Sequence, residues 1–419
     1  MSTLPLGDGR HTDMQVKQQS GNDTLTALEL FAGAEGLAVG VHQAGFEHLG
    51  LIEWERYAVA TLRLNSERVL GTDPARVIHA AAQSIDYSAF AGRVDLLSGG
   101  PPCQPFSTGG AGGGQTDPRN MFPTFLDAVK QVRPRAVLLE NVKGLTQAKF
   151  APYMEYIQLR LRFPCCPLDP EASWQEQLEV LKRVRPADFA DEEKYALAVR
   201  LIDTADYGVP QRRERVFFLA LRADLGLEPA FPGPTRSKLA LMHDQWVTGD
   251  SWLRHGLRPV EPLGKRDRTI RAALQAQAPR LPPDGRRPWR TVRDAIQDLP
   301  APVPRGVAPQ VINHVQHPGA RIYPPRHIGS VPDMPAKALK AGMHGHGTPG
   351  GENVLNAEHE GVLRYFTTRE AARLQTFPDE WEFLGTWGAC IQQLGNAVPA
   401  QLGEIFASSI RTQLLSVRS

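Results

Sequence analysis

The 419-residue chain is short of several things, and each absence narrows what it does. It has only four cysteines, Cys103, Cys165, Cys166 and Cys390, and no Cys-x-x-Cys pair. That excludes a disulfide-built scaffold and gives no sign of structural zinc or a redox pair. No stretch of about 18 residues is uniformly apolar, and the first two dozen residues are polar without an apolar core. No signal peptide or membrane span is therefore expected, and the reading is a soluble, cytoplasmic protein. Charge of one sign is lacking as well: 47 Lys+Arg stand against 45 Asp+Glu, a net of +2. A Gly-x-Gly-x-x-Gly fingerprint is also missing, which favours a nucleoside ligand over a dinucleotide.

What is present is unevenly spread. Residues 231–330 hold 16 Lys+Arg and 7 Asp+Glu, a net of +9, so the remainder carries −7. A local basic block is the footprint of a phosphate-backbone partner, although a solvated basic surface has the same composition. The same hundred residues contain 15 of the 35 prolines, which argues against long helices there. Residues 1–24 read as a disordered polar tail. From Thr26 to Leu221, apolar strand-like runs alternate with helical stretches, the pattern of a parallel α/β sheet. Residues 150–193 look inserted and include a helical stretch from Trp174 to Val184. The expected organisation is a Rossmann-like α/β domain built from 25–222 and 361–419, with 223–360 forming a smaller, irregular lobe.

Chemistry gathers at the strand ends. Gly33 and Gly36 form a turn after the first strand, and Glu53 ends the next strand, twenty residues after Gly33. An acid so placed can hold ribose hydroxyls, and Trp54 beside it offers a flat face to an adenine. A ligand-free strand-to-helix turn would look the same. Cys103 lies in Gly-Gly-Pro-Pro-Cys-Gln-Pro-Phe-Ser, directly after the apolar run Val94–Leu97, and Glu140-Asn141-Val142 follows the run Ala136–Leu139. Two parallel strands thus deliver a thiol and a carboxyl to one crevice. Next along the chain, Ser107–Gln115 contains five glycines and reads as a flexible loop beside the thiol.

These motifs, together with Gln211-Arg212-Arg213-Glu214-Arg215 and Gln393-Leu394-Gly395-Asn396-Ala397-Val398-Pro399, resemble the ordered motif set of the bacterial, restriction-modification type of DNA (cytosine-5) methyltransferase. The resemblance implies an S-adenosylmethionine-dependent domain with a target-recognition lobe, acting on double-stranded DNA. Cys103 would add to cytosine C6, and Glu140 would hydrogen-bond the N3 and N4 edge and support protonation at N3. Arg213 and Arg215 would share a face, Arg215 reaching the cytosine O2, while Asn141 would orient the turn carrying Cys103. The cofactor would meet Phe31, Gly33, Gly36, Glu53, Trp54 and Asn396, with Pro102, Gln104 and Ser107 in the substrate loop.

The pattern departs from the family at two places. Glu35 stands where a glycine is usual, and Val77–Ala82 lacks the acid that meets the adenine amino group; Asp86 is either its substitute or a cap. Within the lobe, Met343–Gly351 has the composition of a DNA-approaching loop, and Trp289–Pro300 reads as a structural helix. A monomer with a cognate endonuclease is expected. The alternatives are an RNA cytosine methyltransferase and a catalytically silent DNA-binding relative.

Overall fold

The computed structural model describes residues 24–34, 36–102, 120–259, 265–277, 284–322, 328–341, 343–344, 348–349, 353–357 and 360–417. The first 23 residues, Glu35, Cys103, Gln104, Ser107 and the rest of the glycine-rich stretch lie outside the described residues.

The apolar runs form one seven-stranded sheet. In chain order its strands are β1 (Leu25–Leu30), β2 (Phe46–Glu53), β3 (Val77–His79), β4 (Leu96–Gly99), β5 (Ala136–Val142), β6 (Tyr195–Asp203) and β8 (Glu214–Arg222), the two-residue β7 (Gln211–Arg212) lying outside it. The spatial order is β3-β2-β1-β4-β5-β8-β6. From β3 to β5 all pairs are parallel, as expected, but β8 runs antiparallel to both β5 and β6. The stretch between β6 and β8 has no crossover helix, and a parallel neighbour would need one.

Helices cover both faces, which is why the central strands are apolar throughout rather than alternating. Leu28 and Leu30 face a core shared with α3 (Phe122–Val132) and α4 (Ala151–Arg162). Leu25 and Ala27 face α1 (Gly36–Gln43) and α12 (Ala400–Leu415), so the chain's end completes the first domain. Close packing there needs Gly40, whose Cβ would lie 2.4 Å from the Ala400 carbonyl oxygen. A further helix, α2 (Arg56–Leu70), is capped by the Glu55 carboxylate, which accepts from Ala58 N.

The segment read as an insertion is only partly one. Tyr153, Ile157 and Leu161 of α4 are buried in the main core, because the helix carries apolar residues at helical spacing toward the sheet. Beyond it, α5 (Trp174–Leu181) opens on a capping box between Ser173 and Glu176.

The proline-rich lobe contains short elements: β9 (Arg236–Ser237) paired with β10 (Arg287–Pro288), and α6 (Lys238–His243), α7 (Asp250–Arg254), α8 (Lys265–Gln277) and α9 (Val292–Ile296). Trp289 is buried and donates from its indole to Asp206 at 2.8 Å, in keeping with a structural segment. After the lobe, β11 (Ala336–Lys337) pairs with β7, and β12 (Met343–His344) pairs with β13 (Thr348–Pro349). The chain then makes the hairpin β14 (Val354–Ala357) and β15 (Val362–Tyr365), followed by α10 (Thr368–Leu374) and α11 (Trp387–Asn396). A division at 360/361 therefore falls inside a hairpin. One core also joins Val59 and Leu62 of α2 to Val292, Leu339, Phe366 and Trp381, so lobe and sheet domain share buried surface. Among the described residues no helix is long and apolar enough to cross a membrane.

Candidate active site

The carboxyl ends of β1, β2, β4 and β5 open onto one cleft of about 1750 Å3. Phe31, Gly33, Gly36, Glu53, Trp54 and Asn396 line one part of it. Pro102, Glu140, Asn141, Arg213 and Arg215 line the remainder. The structure thus brings together every expected site residue that it describes.

At the first end, Glu53 is buried and held by backbone. Its Oε2 accepts from Gly33 N at 2.7 Å, and its Oε1 accepts from Trp54 N at 2.9 Å and Glu55 N at 2.8 Å. Burial pushes this carboxyl above the ordinary range, and the three N–H groups pull it part of the way back. The Trp54 indole stands 68% exposed on the cleft wall, a large apolar ring with a free face. Gly33 has a φ of +60° with open space where a Cβ would project. Gly36 serves packing in addition, since a Cβ there would sit 1.7 Å from the Val398 carbonyl oxygen. It thereby lets the segment after α11 close over the start of α1.

Asp86 turns out to be a cap: its carboxylate accepts from Ser88 N at 3.0 Å, and it does not line the cleft. Gln83, which the sequence reading passed over, does line it, beside Ala80, Ala81 and Ala82. Its position just past β3 is the signal that would have found it.

At the other end, Glu140 and Arg215 sit on adjacent antiparallel strands. Glu140 is opposite Phe217, and Arg215 is opposite Val142, which makes the two diagonal neighbours on one face. Their side chains meet, Arg215 Nε lying 2.8 Å from Glu140 Oε1. Burial raises the Glu140 carboxyl, and the charges of Arg215 and Arg213 only partly offset that. Gly100 passes so close that a Cβ there would lie 3.0 Å from Glu140 Oε2. Asn141 donates from Nδ2 to the Pro101 carbonyl at 3.1 Å, tying β5 to the turn that leads into Cys103. Pro102 O in turn accepts from Met121 N at 3.3 Å, so the two ends of the stretch between them are joined.

Arg213 behaves differently from Arg215. It is only 2% exposed and donates to backbone carbonyls, to Leu339 O at 3.2 Å and Gly395 O at 2.7 Å. Gln211 completes the clamp by accepting from Leu339 N at 2.9 Å. These two residues fasten β11 and the end of α11 to the sheet domain.

A model of C-5 cytosine-specific DNA methylases matches residues 25–162 and 187–412, most of the chain. The chain belongs to that family. Members take their methyl group from S-adenosylmethionine, and the glycine turn, the anchored acid and the open indole face suit that cofactor. The match leaves out residues 163–186, a narrower insertion than 150–193 that excludes α4. Among curated relatives, the chain is 31% identical to the type II methyltransferase M.PspPI of Psychrobacter over 389 residues, covering 92% of this chain and 79% of that one. It is 29% identical to M.Eco47II of Escherichia coli over 392 residues, with coverages of 93% and 79%. Of solved structures, Schizosaccharomyces pombe Dnmt2 methyltransferase superposes with a TM-score of 0.52 at 17% identity, covering 94% of this chain and 100% of that one. A DNA modification methyltransferase of an E. coli prophage gives 0.50 at 18%, with the same coverages. At such identities these structures speak for the fold alone: a Rossmann-like α/β methyltransferase domain. Sequence-specific cytosine-5 methylation in restriction-modification is the activity of this group.

Proposed function

We propose that the chain methylates C5 of one cytosine within a specific double-stranded DNA sequence, as a cytoplasmic monomer partnered by a cognate endonuclease. Residues 25–222 and 361–419 carry the chemistry, and 223–360 reads the DNA. The observation that carries this reading is the ion pair of buried Glu140 with half-buried Arg215, set at the mouth of two adjacent strands and tied through Asn141 to the turn entering Cys103.

Cytosine C5 is a poor nucleophile. Addition of the Cys103 thiolate to C6 makes it enamine-like, provided that charge does not build up on the ring. Glu140 meets that need, since burial keeps its proton available above the ordinary carboxyl range and lets it stabilise N3 in the protonated form. Arg215 holds Glu140 in place and offers its remaining N–H groups to O2. Glu53, Trp54, Phe31 and the Gly33 turn would hold S-adenosylmethionine, which when bound would supply the methyl group to C5. Transfer of the C5 proton to water then allows elimination across C5–C6, which frees Cys103 as the thiolate. The reacting ring is unreachable in a stacked duplex, so the base must swing out, at a cost of about a few kcal/mol. The basic block in the lobe supports the phosphate contacts that this deformation needs.

The test is expression in a bacterial host free of cytosine methylation, followed by bisulfite sequencing of its genome. One short motif methylated at a single cytosine is expected. An unmethylated genome with soluble protein would overturn the proposal.

A further inference from the structure

A second cavity, of about 300 Å3, lies at the opposite end of the sheet from the cleft. It opens where β1, β4 and β5 begin and where the antiparallel β8 ends, and none of its lining residues lines the cleft. Four arginines line it, Arg93, Arg133, Arg135 and Arg222, against a single acid, Asp95. Like charges so gathered repel one another, and an anion between them would relieve that repulsion.

Two of the four are already balanced and held. Arg135 Nη1 lies 3.1 Å from Asp95 Oδ1, and its Nη2 donates to the Leu414 carbonyl at 3.1 Å. The other oxygen of Asp95 accepts from Thr26 N at 2.9 Å, which ties this pair to the start of β1. Arg222 makes a bidentate pair with Asp224, at 2.7 and 2.9 Å, and donates to the Arg133 carbonyl at 2.8 Å. Arg93 and Arg133 are exposed and pair with no carboxylate among the described residues. Arg133 moreover ends α3 with a φ of +49°, a backbone conformation that glycine adopts at lower cost. A guanidinium is thus placed at this rim against the local preference of the chain.

Two uncompensated guanidiniums match a ligand with two negative charges. A phosphomonoester is such a dianion above pH of about 6, and its oxygens suit the planar forks of arginine. A DNA phosphodiester carries one charge only, and the cavity is of a size for a small molecule. We propose that this cavity is a binding site for the phosphate group of a small phosphomonoester. Arg93 and Arg133 supply the charge, and Arg135 and Arg222 form the held side of the site.

Titration calorimetry of the intact protein with glycerol 3-phosphate tests this, at constant ionic strength and about pH 7.5, where the ligand is a dianion. Saturable binding at one site is expected. Arg133→Gly removes the guanidinium and relieves the backbone, so it should bind about tenfold or more weakly while unfolding at no lower temperature than the wild type. Arg93→Gln should weaken binding in the same way, and dimethyl phosphate, a monoanion, should bind the wild type about tenfold or more weakly than glycerol 3-phosphate. Absence of saturable binding, wild-type affinity in both variants, or equal affinity for dimethyl phosphate would overturn the proposal. Displacement of glycerol 3-phosphate by duplex DNA would overturn it too, by assigning the arginines to a nucleic-acid backbone.

Discussion

In the proposed reaction Glu140 carries the heaviest demand of any single side chain, because it is required to hold a proton beside two arginines. Burial outweighs their charges, and the net direction is upward. Replacing it with Gln keeps the shape but removes the exchangeable proton. Glu140→Gln is therefore expected to lower turnover by about 10²- to 10⁴-fold with cofactor affinity unchanged, read by single-turnover kinetics and calorimetry. Glu53, Trp54 and Glu140 were legible in the sequence because each follows an apolar run directly, which places it at a strand's carboxyl end. Glu29, which lines the same cleft from within β1, was not, since a lone acid within such a run gives no sign of facing a cleft rather than a buried partner. Gly36 was legible as a turn residue but not as the point where Val398 approaches, a contact made between residues far apart in the chain.

Elements show a similar split. Strand positions follow from apolar runs, but strand direction leaves no mark in composition, so the antiparallel β8 emerges only from its short link to β6. Placing α4 in the insertion missed that its apolar face belongs to the main core. The Gln-x-Arg-x-Arg motif was expected to put Arg213 and Arg215 on one face with Arg215 reaching the base, and the two side chains have different partners: Arg213 fastens the segment after β11 and the end of α11, while Arg215 meets Glu140. Arg213→Ala leaves the Leu339 and Gly395 carbonyls without that donor, and each buried unpaired group costs about 1–3 kcal/mol. The variant is expected to unfold at lower denaturant concentration and to lose activity through stability, whereas Arg215→Ala should keep wild-type stability more closely and lose turnover. Urea denaturation of both variants checks this, and equal stabilities would remove the clamp role from Arg213.

At the scale of the whole molecule, the charge is unevenly distributed. A near-neutral chain concentrates its positive charge in residues 231–330, away from the acidic groups of the cleft floor. Exchanging that block for the corresponding block of a relative is expected to move the methylated motif while leaving the reaction intact. DNA affinity should fall linearly with the logarithm of salt concentration, with a shallower slope when lysines and arginines in the block are neutralised. The change in composition near residue 222 was legible, and it coincides with the end of β8 and the start of the short elements. The core joining α2 to Val292, Leu339 and Trp381 was not, because it is built from segments separated by hundreds of residues.

Catalysis by the proposed route requires that Cys103 become covalently joined to a cytosine held beside Glu140. The direct test is incubation with S-adenosylmethionine and duplex DNA carrying 5-fluorocytosine at the target position, followed by denaturing electrophoresis and mass mapping. Fluorine cannot leave as the C5 proton does, so a stable protein–DNA adduct is expected on the peptide containing Cys103, absent in Cys103→Ala although that variant still binds DNA. An adduct formed by Cys103→Ala, or turnover without any trapped species in the wild type, would contradict it.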